Sequence, residues 1–371
     1  MIPDFAGAPD RRGTDSAKWA RHAPDVLPMW VADMDFAVAP PIVAALAERL
    51  RHPVFGYAAV SDRVRQVVAD RMATRHGWAV SPEHVLLLPG VVPGFNMAAR
   101  ALVPPGGALH YHAPAYPPIR AVAAHWRLRD APLPVDSDAA ALRRALARDD
   151  AFLLCNPHNP TGHAYTRPAL EALAQACLSA DAWIVADEIH CDLLFDGRRH
   201  VPIASLSPEV AARTVTLMSP GKAFNIAGLK IAFAIIQDDA LRSRLQACRS
   251  GMVDQGSGFG LLAMEAAFTQ CDGWLDALIA YLQANRDHLV QALRRLPGLR
   301  LATPEATFLA WLDFRETALA ADPAGLLLER GRVALNAGPD FGAPGFARLN
   351  FGCSRELLDE GIARITACIP S

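Results

Sequence analysis

Of the 36 basic side chains in this 371-residue chain, only Lys18, Lys222 and Lys230 are lysine; the rest are arginine. Codon bias toward arginine accounts for the ratio, yet it singles out positions where arginine does not serve. A lysine amine can lose its proton and attack a carbonyl, whereas a guanidinium stays protonated. Lys222 closes the run Ser219-Pro220-Gly221-Lys222. Three other short runs carry groups of comparable use. Asn156-Pro157-His158-Asn159-Pro160-Thr161-Gly162 offers amides, and Asp187-Glu188-Ile189-His190 offers carboxylates and an imidazole. Pro89-Gly90-Val91-Val92 leads into a helical pattern, whose first N–H groups suit an anion. Taken singly, each run has a plain structural reading. Asn-Pro and Pro-Thr-Gly form turns, a strand-end acid caps the next helix, and a lysine in a Ser-Pro-Gly turn is solvated.

Each run follows a short apolar stretch of strand type: His84–Leu88, Ala151–Cys155, Ala182–Ala186 and Thr214–Met218. Ala108–His112 and Ile231–Ile236 read the same way. Helical patterns lie between them at Phe95–Leu102 and Arg167–Ser179, and after them at Asp238–Cys248 and Gly258–Thr269. Two more come first, at Pro40–Arg51 and at Ser61–His76, with Ser61 as N-cap. Buried strands separated by helices predict a three-layer α/β fold around a mostly parallel central sheet. In such a sheet, ligands bind beyond the carboxyl ends of the strands, where all of these runs fall. From about Trp274 the texture changes. A long helical stretch to Arg295 leads to strand candidates at Leu301, Phe308–Asp313 and Ala347–Asn350, and Ser354–Cys368 is a last helix. This predicts a smaller α+β domain formed by the N- and C-terminal segments. The expected division is 1–45, the N-terminal part of the small domain; 46–275, a large cofactor-binding domain; and 276–371, the C-terminal small domain.

A lysine, an acid, an amide and an anion site at the strand ends of one sheet are the equipment for pyridoxal 5′-phosphate. The lysine bonds the aldehyde, the acid pairs with the pyridinium nitrogen, and the helix N-terminus holds the phosphate. On these residues the chain resembles the fold-type I pyridoxal-phosphate enzymes of the class I/II aminotransferase family. Asn-Pro-x-Asn-Pro-Thr-Gly, Asp-x-x-His and Ser-x-x-Lys occur in that family's order and spacing, and the matched motifs span Leu27 to Asn350. The resemblance implies that Lys222 is the catalytic Schiff-base lysine and that Asp187 keeps the pyridine nitrogen protonated. Asn159 would hydrogen-bond the ring O3′, and His190, standing where many relatives have tyrosine, would also reach it. Tyr116 would stack on the ring. Ser219 and Lys230 would contact the phosphate, with Gly90 and Val91 donating N–H groups. Arg348, in Ala347-Arg348-Leu349-Asn350, would clamp the substrate α-carboxylate as a bidentate fork. Tyr57, in Phe55-Gly56-Tyr57, would reach the phosphate of a neighbouring subunit, which requires a homodimer with active sites at the subunit interface. Lys18 reads as a solvated residue of an early polar segment, and Glu188 as a solvated neighbour of Asp187.

With freed Lys222 as general base for the substrate Cα proton, two outcomes compete. Reprotonation on the ring side gives transamination, and expulsion of a group from Cβ gives β-elimination. Leu27-Pro28-Met29-Trp30-Val31-Ala32-Asp33-Met34-Asp35-Phe36 is similar to the opening signature of the carbon–sulfur lyase (cystathionine β-lyase-like) branch, and Phe55-Gly56-Tyr57 and Asp187-Glu188-Ile189-His190 fit that branch. The resemblance therefore implies cleavage of L-cysteine S-conjugates or cystathionine to a thiol, pyruvate and ammonia. An aminotransferase acting between an amino acid and a 2-oxo acid is the alternative, and a non-catalytic cofactor-binding regulator the second. A regulator fused to a DNA-binding module needs an N-terminal helix-turn-helix, for which a motif beginning by Leu27 leaves no room. There are departures. Ala223 follows the lysine where the branch has serine or threonine, and Gly221 precedes it where serine is common. Pro93 and Gly94 enter the phosphate helix and are expected to loosen it. Met29, Trp30, Met34 and Phe36 also suit a core, Asp33 and Asp35 suit a turn, and His112 and His158 read as structural. Cys155 and Cys191 receive no role.

The bulk properties agree. A formal net charge of −2 lacks the clustered excess cation that nucleic-acid binding needs. The first residues have no basic n-region or apolar run, so they do not read as a signal peptide. The uncharged stretch Ala101 to Ile119 is long enough for a membrane span, but its five prolines forbid one continuous helix. Seven dispersed cysteines, never in a CxxC pair, suit a reducing cytoplasm rather than a disulfide framework.

Overall fold

The computed structural model of the protein describes residues 4–369. Residues 1–3 and 370–371 lie outside the described residues; they are the ends of the expected small domain and the start of the stretch read as no signal peptide.

The larger sheet has seven strands: β1 Val85–Leu88, β2 Ala108–Ala113, β3 Arg129–Pro134, β4 Ala151–Cys155, β5 Trp183–Asp187, β6 Thr214–Met218 and β7 Ala232–Ile235. They lie in the order β1-β7-β6-β5-β4-β2-β3. Neighbours pair parallel except β7, which runs antiparallel to both β1 and β6. β1, β4, β5 and β6 therefore end at the same edge. Side chains alternate between two cores. Ala151, Leu153 and Cys155 of β4 pack with the helices Val91–Leu102, Pro117–Trp126 and Asp239–Arg249. Phe152 and Leu154 pack with the helix Arg167–Ser179 on the opposite face. Burial on both faces is why these strands read as unbroken apolar runs. β3 has no such run. It is an edge strand with partly exposed side chains, where Pro132 and Pro134 are tolerated.

A second, antiparallel sheet has the order β10-β11-β9-β8, with β8 Arg300–Leu301, β9 Leu309–Asp313, β10 Asn336–Ala337 and β11 Phe346–Asn350. The helices Asp272–Leu293 and Arg355–Cys368 pack on it, and the N-terminal segment joins them. Leu27–Pro28 pairs in parallel with Val333–Ala334. Phe5, Met29, Met34 and Phe36 share one core with Leu278, Leu309 and Ile365. This is the expected smaller α+β unit. We propose the division of the chain near residues 45 and 275, with the helix Asp272–Leu293 leading out of the large unit.

Several expectations are corrected. The helix expected at Phe95–Leu102 begins at Val91 and takes in Pro93 and Gly94 without a break. Pro93 sits in the first turn, where its missing N–H has no intrahelical partner to lose. A Cβ on Gly94 would come within 2.7 Å of Leu217 Cδ2 and 3.0 Å of Leu88 Cδ1. Glycine there seats the helix against the sheet rather than loosening it. Lys18 is 1 % exposed, not solvated: its Nζ donates to Asp35 Oδ2 at 2.7 Å. Arg11 bridges Asp33 and Asp35 at 2.8 Å each, so the two acids form an ion-pair network rather than a simple turn. Glu188 is wholly buried, accepting from His200 Nε2 at 2.7 Å and from the Ile203 N–H at 3.0 Å. Among the described residues, no helix is long and apolar enough to cross a membrane.

Candidate active site

Strand register gathers the chemistry. Cys155 pairs with Asp187 across β4 and β5, and Asp187 with Leu217 across β5 and β6. The three polar runs therefore leave the sheet side by side. β1 delivers the fourth, two strands beyond β6. Between them lies a cavity of about 360 Å³, lined by Gly90, Val91, Tyr116, Asn159, Asp187, His190, Ser219, Lys222 and Lys230. Ala32, Cys155 and Ile189 also line it. Of the residues expected at the site, Arg348 and Tyr57 do not line this cavity.

The turn carrying Lys222 is fixed by Ser219, whose Oγ donates to the Ile231 carbonyl at 2.7 Å and accepts from the Gly221 N–H at 2.9 Å. A Cβ on Gly221 would stand 3.0 Å from that Oγ and 3.3 Å from Ala227 Cα, so the turn needs a small residue there. The Lys222 Nζ donates to the Ala32 carbonyl at 2.6 Å. Burial brings its pKa down to about 8; the Arg348 charge pushes the same way, and Asp33 and Asp187 oppose. Asp187 is shifted up to about 7, chiefly by burial, against the Ile189 N–H and the Lys222 charge. The only hydrogen bond to its carboxylate among the described residues comes from that N–H, at 3.2 Å. Burial holds His190 well below the ordinary imidazole value, hence neutral, and its buried Nδ1 has no partner among the described residues. Gly90 is the N-cap of the helix Val91–Leu102, so first-turn N–H groups open at the cavity. Lys230 is exposed.

Arg348, on β11, is 4 % exposed. Its Nη1 donates to Asn159 Oδ1 at 2.9 Å, and its Nη2 to the Trp30 carbonyl at 3.0 Å and to Asn336 Oδ1 at 2.6 Å. Its buried Nε has no partner among the described residues. Burial lowers its pKa to about 10. Tyr57 is fully exposed on a segment that also exposes Val54 and Phe55. His112 and His158 take structural partners, Tyr165 Oη and Thr161 Oγ1. Met29, Met34 and Phe36 are core, whereas Trp30 is half-buried. Two participants escape a reading of motifs, the Ala32 carbonyl and Asn350. Asn350 lies two residues past Arg348 on one strand, hence on the same face, and that spacing is the signal that could have found it.

The donor set fits pyridoxal phosphate. A buried amine, a buried carboxylate with almost no partners, an imidazole nitrogen without one, and a helix N-terminus with a lysine nearby face one space. The carboxylate and the imidazole nitrogen would otherwise carry an uncompensated desolvation cost.

Comparison with known proteins agrees with the geometry. The family model for aminotransferase class I and II matches residues 24–365. Cystathionine beta-lyase PatB of Bacillus subtilis (strain 168) is 37% identical over 386 residues, covering 99% of this chain and 100% of that protein. The crystal structure of OvoB superposes with a TM-score of 0.94 at 40% identity, over 100% of this chain and 99% of that one. The PLP-bound C-S lyase from Staphylococcus hominis gives a TM-score of 0.92 at 27% identity, over 100% and 99%. With nearly its whole length matched, the chain belongs to the aminotransferase class I and II family.

Proposed function

We propose that this protein is a pyridoxal-phosphate-dependent carbon–sulfur lyase that β-eliminates L-cysteine S-conjugates or cystathionine to a thiol, pyruvate and ammonia. The observation that carries the reading is the shared cavity of Lys222 and Asp187, in a chain whose full-length relatives include a cystathionine beta-lyase and a C-S lyase.

Lys222 would hold the cofactor through its amine, and Asp187 would take the ring nitrogen as a cationic partner for its buried carboxylate. When bound, the cofactor supplies an electron sink conjugated to the substrate Cα. Ser219, Lys230 and the N–H groups at Gly90 and Val91 would receive the phosphate. Tyr116 would stack on the ring, and Asn159 and neutral His190 would hydrogen-bond its O3′. Arg348 receives the substrate α-carboxylate. With a pKa near 8, the Lys222 amine is neutral in a useful fraction at neutral pH. Once released from the cofactor by the substrate amine, its Nζ would take the Cα proton and return a proton to the departing sulfur. We read Tyr57, beside exposed Val54 and Phe55, as completing the phosphate site of a second subunit in a homodimer. All seven cysteines are free, which supports a reducing cytoplasmic setting.

The test is incubation with cystathionine and other cysteine conjugates, and separately with an amino acid plus 2-oxoglutarate. Pyruvate and free thiol formed without any 2-oxo acid support the lyase. Amino-group transfer without thiol release would favour the aminotransferase, and near-zero turnover on every conjugate would favour a regulator.

A further inference from the structure

Residues 29–36 form a strap whose successive carbonyls point to opposite partners. The Met29 carbonyl accepts from the Asn350 backbone N–H at 2.9 Å. The Val31 and Asp33 carbonyls both accept from Asn350 Nδ2, the second at 2.6 Å. The carbonyls between them face the site: Trp30 accepts from Arg348 Nη2 at 3.0 Å, and Ala32 from Lys222 Nζ at 2.6 Å. Asn350 is 1 % exposed, and its own Oδ1 accepts from the Gly352 N–H at 2.7 Å, so its amide is fully used. The far end of the strap is tied to the large unit by Asn225. That side chain accepts from the Met34 N–H and donates to the Met34 and Phe36 carbonyls, each at 2.9 Å.

We propose that Asn350 is a positioning residue of this site: by fixing the odd-numbered strap carbonyls, it aims the even-numbered ones at the Lys222 amine and the Arg348 guanidinium. The inference rests on the roles given above to those two side chains. Arg348 and Asn350 stand on one face of β11, in the small unit, whereas Lys222 and Asn225 follow β6 in the large one. The backbone of the strap thus touches all four. A carbonyl displaced by about 1 Å misaligns the amine that it orients, and such misplacement costs catalysis heavily. Arg348 enters the same arrangement. Its Nη2 is already shared between Trp30 and Asn336, so a bidentate carboxylate must displace one of these acceptors, and the strap carbonyl is one of the two.

The test uses the cofactor-free full chain, so it does not depend on which substrate is cleaved. In folded Asn350→Ala, deuterium uptake over residues 29–36 should rise about tenfold or more, because the strap opens locally. Acylation of Lys222 by acetic anhydride, mapped by peptide mass spectrometry, should accelerate at each pH as the amine loses its Ala32 acceptor. The reconstituted variant should keep its cofactor absorbance and lose roughly 10- to 100-fold in kcat on any conjugate the parent turns over. Unchanged uptake and unchanged acylation in the folded variant would overturn the proposal. Should Asn350→Ala not fold, Asn350→Asp decides instead: it keeps an oxygen for the Gly352 N–H but loses the Nδ2 donors to the Val31 and Asp33 carbonyls, so uptake over 29–36 and acylation of Lys222 must still rise, and neither rising would equally overturn the proposal. A chain without lyase turnover that still shows both apo effects would sink the functional reading and leave this one standing.

Discussion

The guanidinium of Arg348 donates to the side-chain oxygen of Asn159 at 2.9 Å, joining a strand of the small sheet to the loop that follows β4 of the large one. The expected carboxylate clamp is therefore hydrogen-bonded to a residue assigned to the cofactor ring. Arg348→Lys keeps a charge but loses the fork, and one ammonium cannot serve Asn159, Trp30 and Asn336 together. We expect KM for the amino-acid substrate to rise about 10- to 100-fold, with the cofactor absorbance intact. A folded variant with a bleached spectrum would move Arg348 from substrate recognition to cofactor retention.

Asp187 predicts a pH signature for the cofactor-free protein. Its pKa is raised from 3.8 in the unfolded chain to about 7 in the folded one. Between those values the folded chain holds a proton that the unfolded chain has released, so this group's contribution to stability declines as pH rises through that window. Asp187→Asn removes the decline. By urea denaturation, the apo variant should be more stable than the apo parent by about 2 kcal/mol at pH 8, with the difference vanishing near pH 4. A variant less stable at the higher pH would show that the carboxylate already has a sufficient partner.

Lys18 and Asp35 should behave asymmetrically. Lys18→Met keeps the buried stem and leaves Asp35 with Arg11 and Trp19 as partners, costing about 1–3 kcal/mol. Asp35→Ala strands the buried ammonium with only Asp33, 4.0 Å away, and should cost about 3–5 kcal/mol. Thermal or urea unfolding of both variants checks the order, and the reverse order would mean that Asp33 alone suffices for the Lys18 ammonium once Asp35 is removed.

Gly94 separates two accounts of the phosphate helix. A glycine that merely loosened it would make Gly94→Ala stabilising by about 0.5–1 kcal/mol. A glycine required by the contact with Leu217 and Leu88 makes the same change destabilising, by about 1–3 kcal/mol. The structure predicts the second result.

The parts legible in the sequence are those whose signal is local. β4, β6 and the helix Arg167–Ser179 begin and end where their apolar patterns do, because burial on both faces, or on one helical stripe, writes itself into consecutive residues. β3 was missed because an edge strand with two prolines lacks that pattern. Polar residues whose environment is made by distant chain were misread. Lys18 needs Asp35, and Glu188 needs His200 and the Ile203 N–H, before their burial makes sense. The residues brought to the cavity were legible because strand ends in a parallel sheet share one edge. The strap carbonyls were not, since a backbone acceptor leaves no trace in residue type.

The account depends above all on which amine carries the cofactor. Borohydride reduction of the pyridoxal-phosphate-loaded protein, followed by peptide mapping, should place the fixed pyridoxyl group on Lys222, and Lys222→Ala should abolish both the label and the characteristic absorbance. A label on Lys230 or Lys18, or one that persists undiminished in Lys222→Ala, would contradict it.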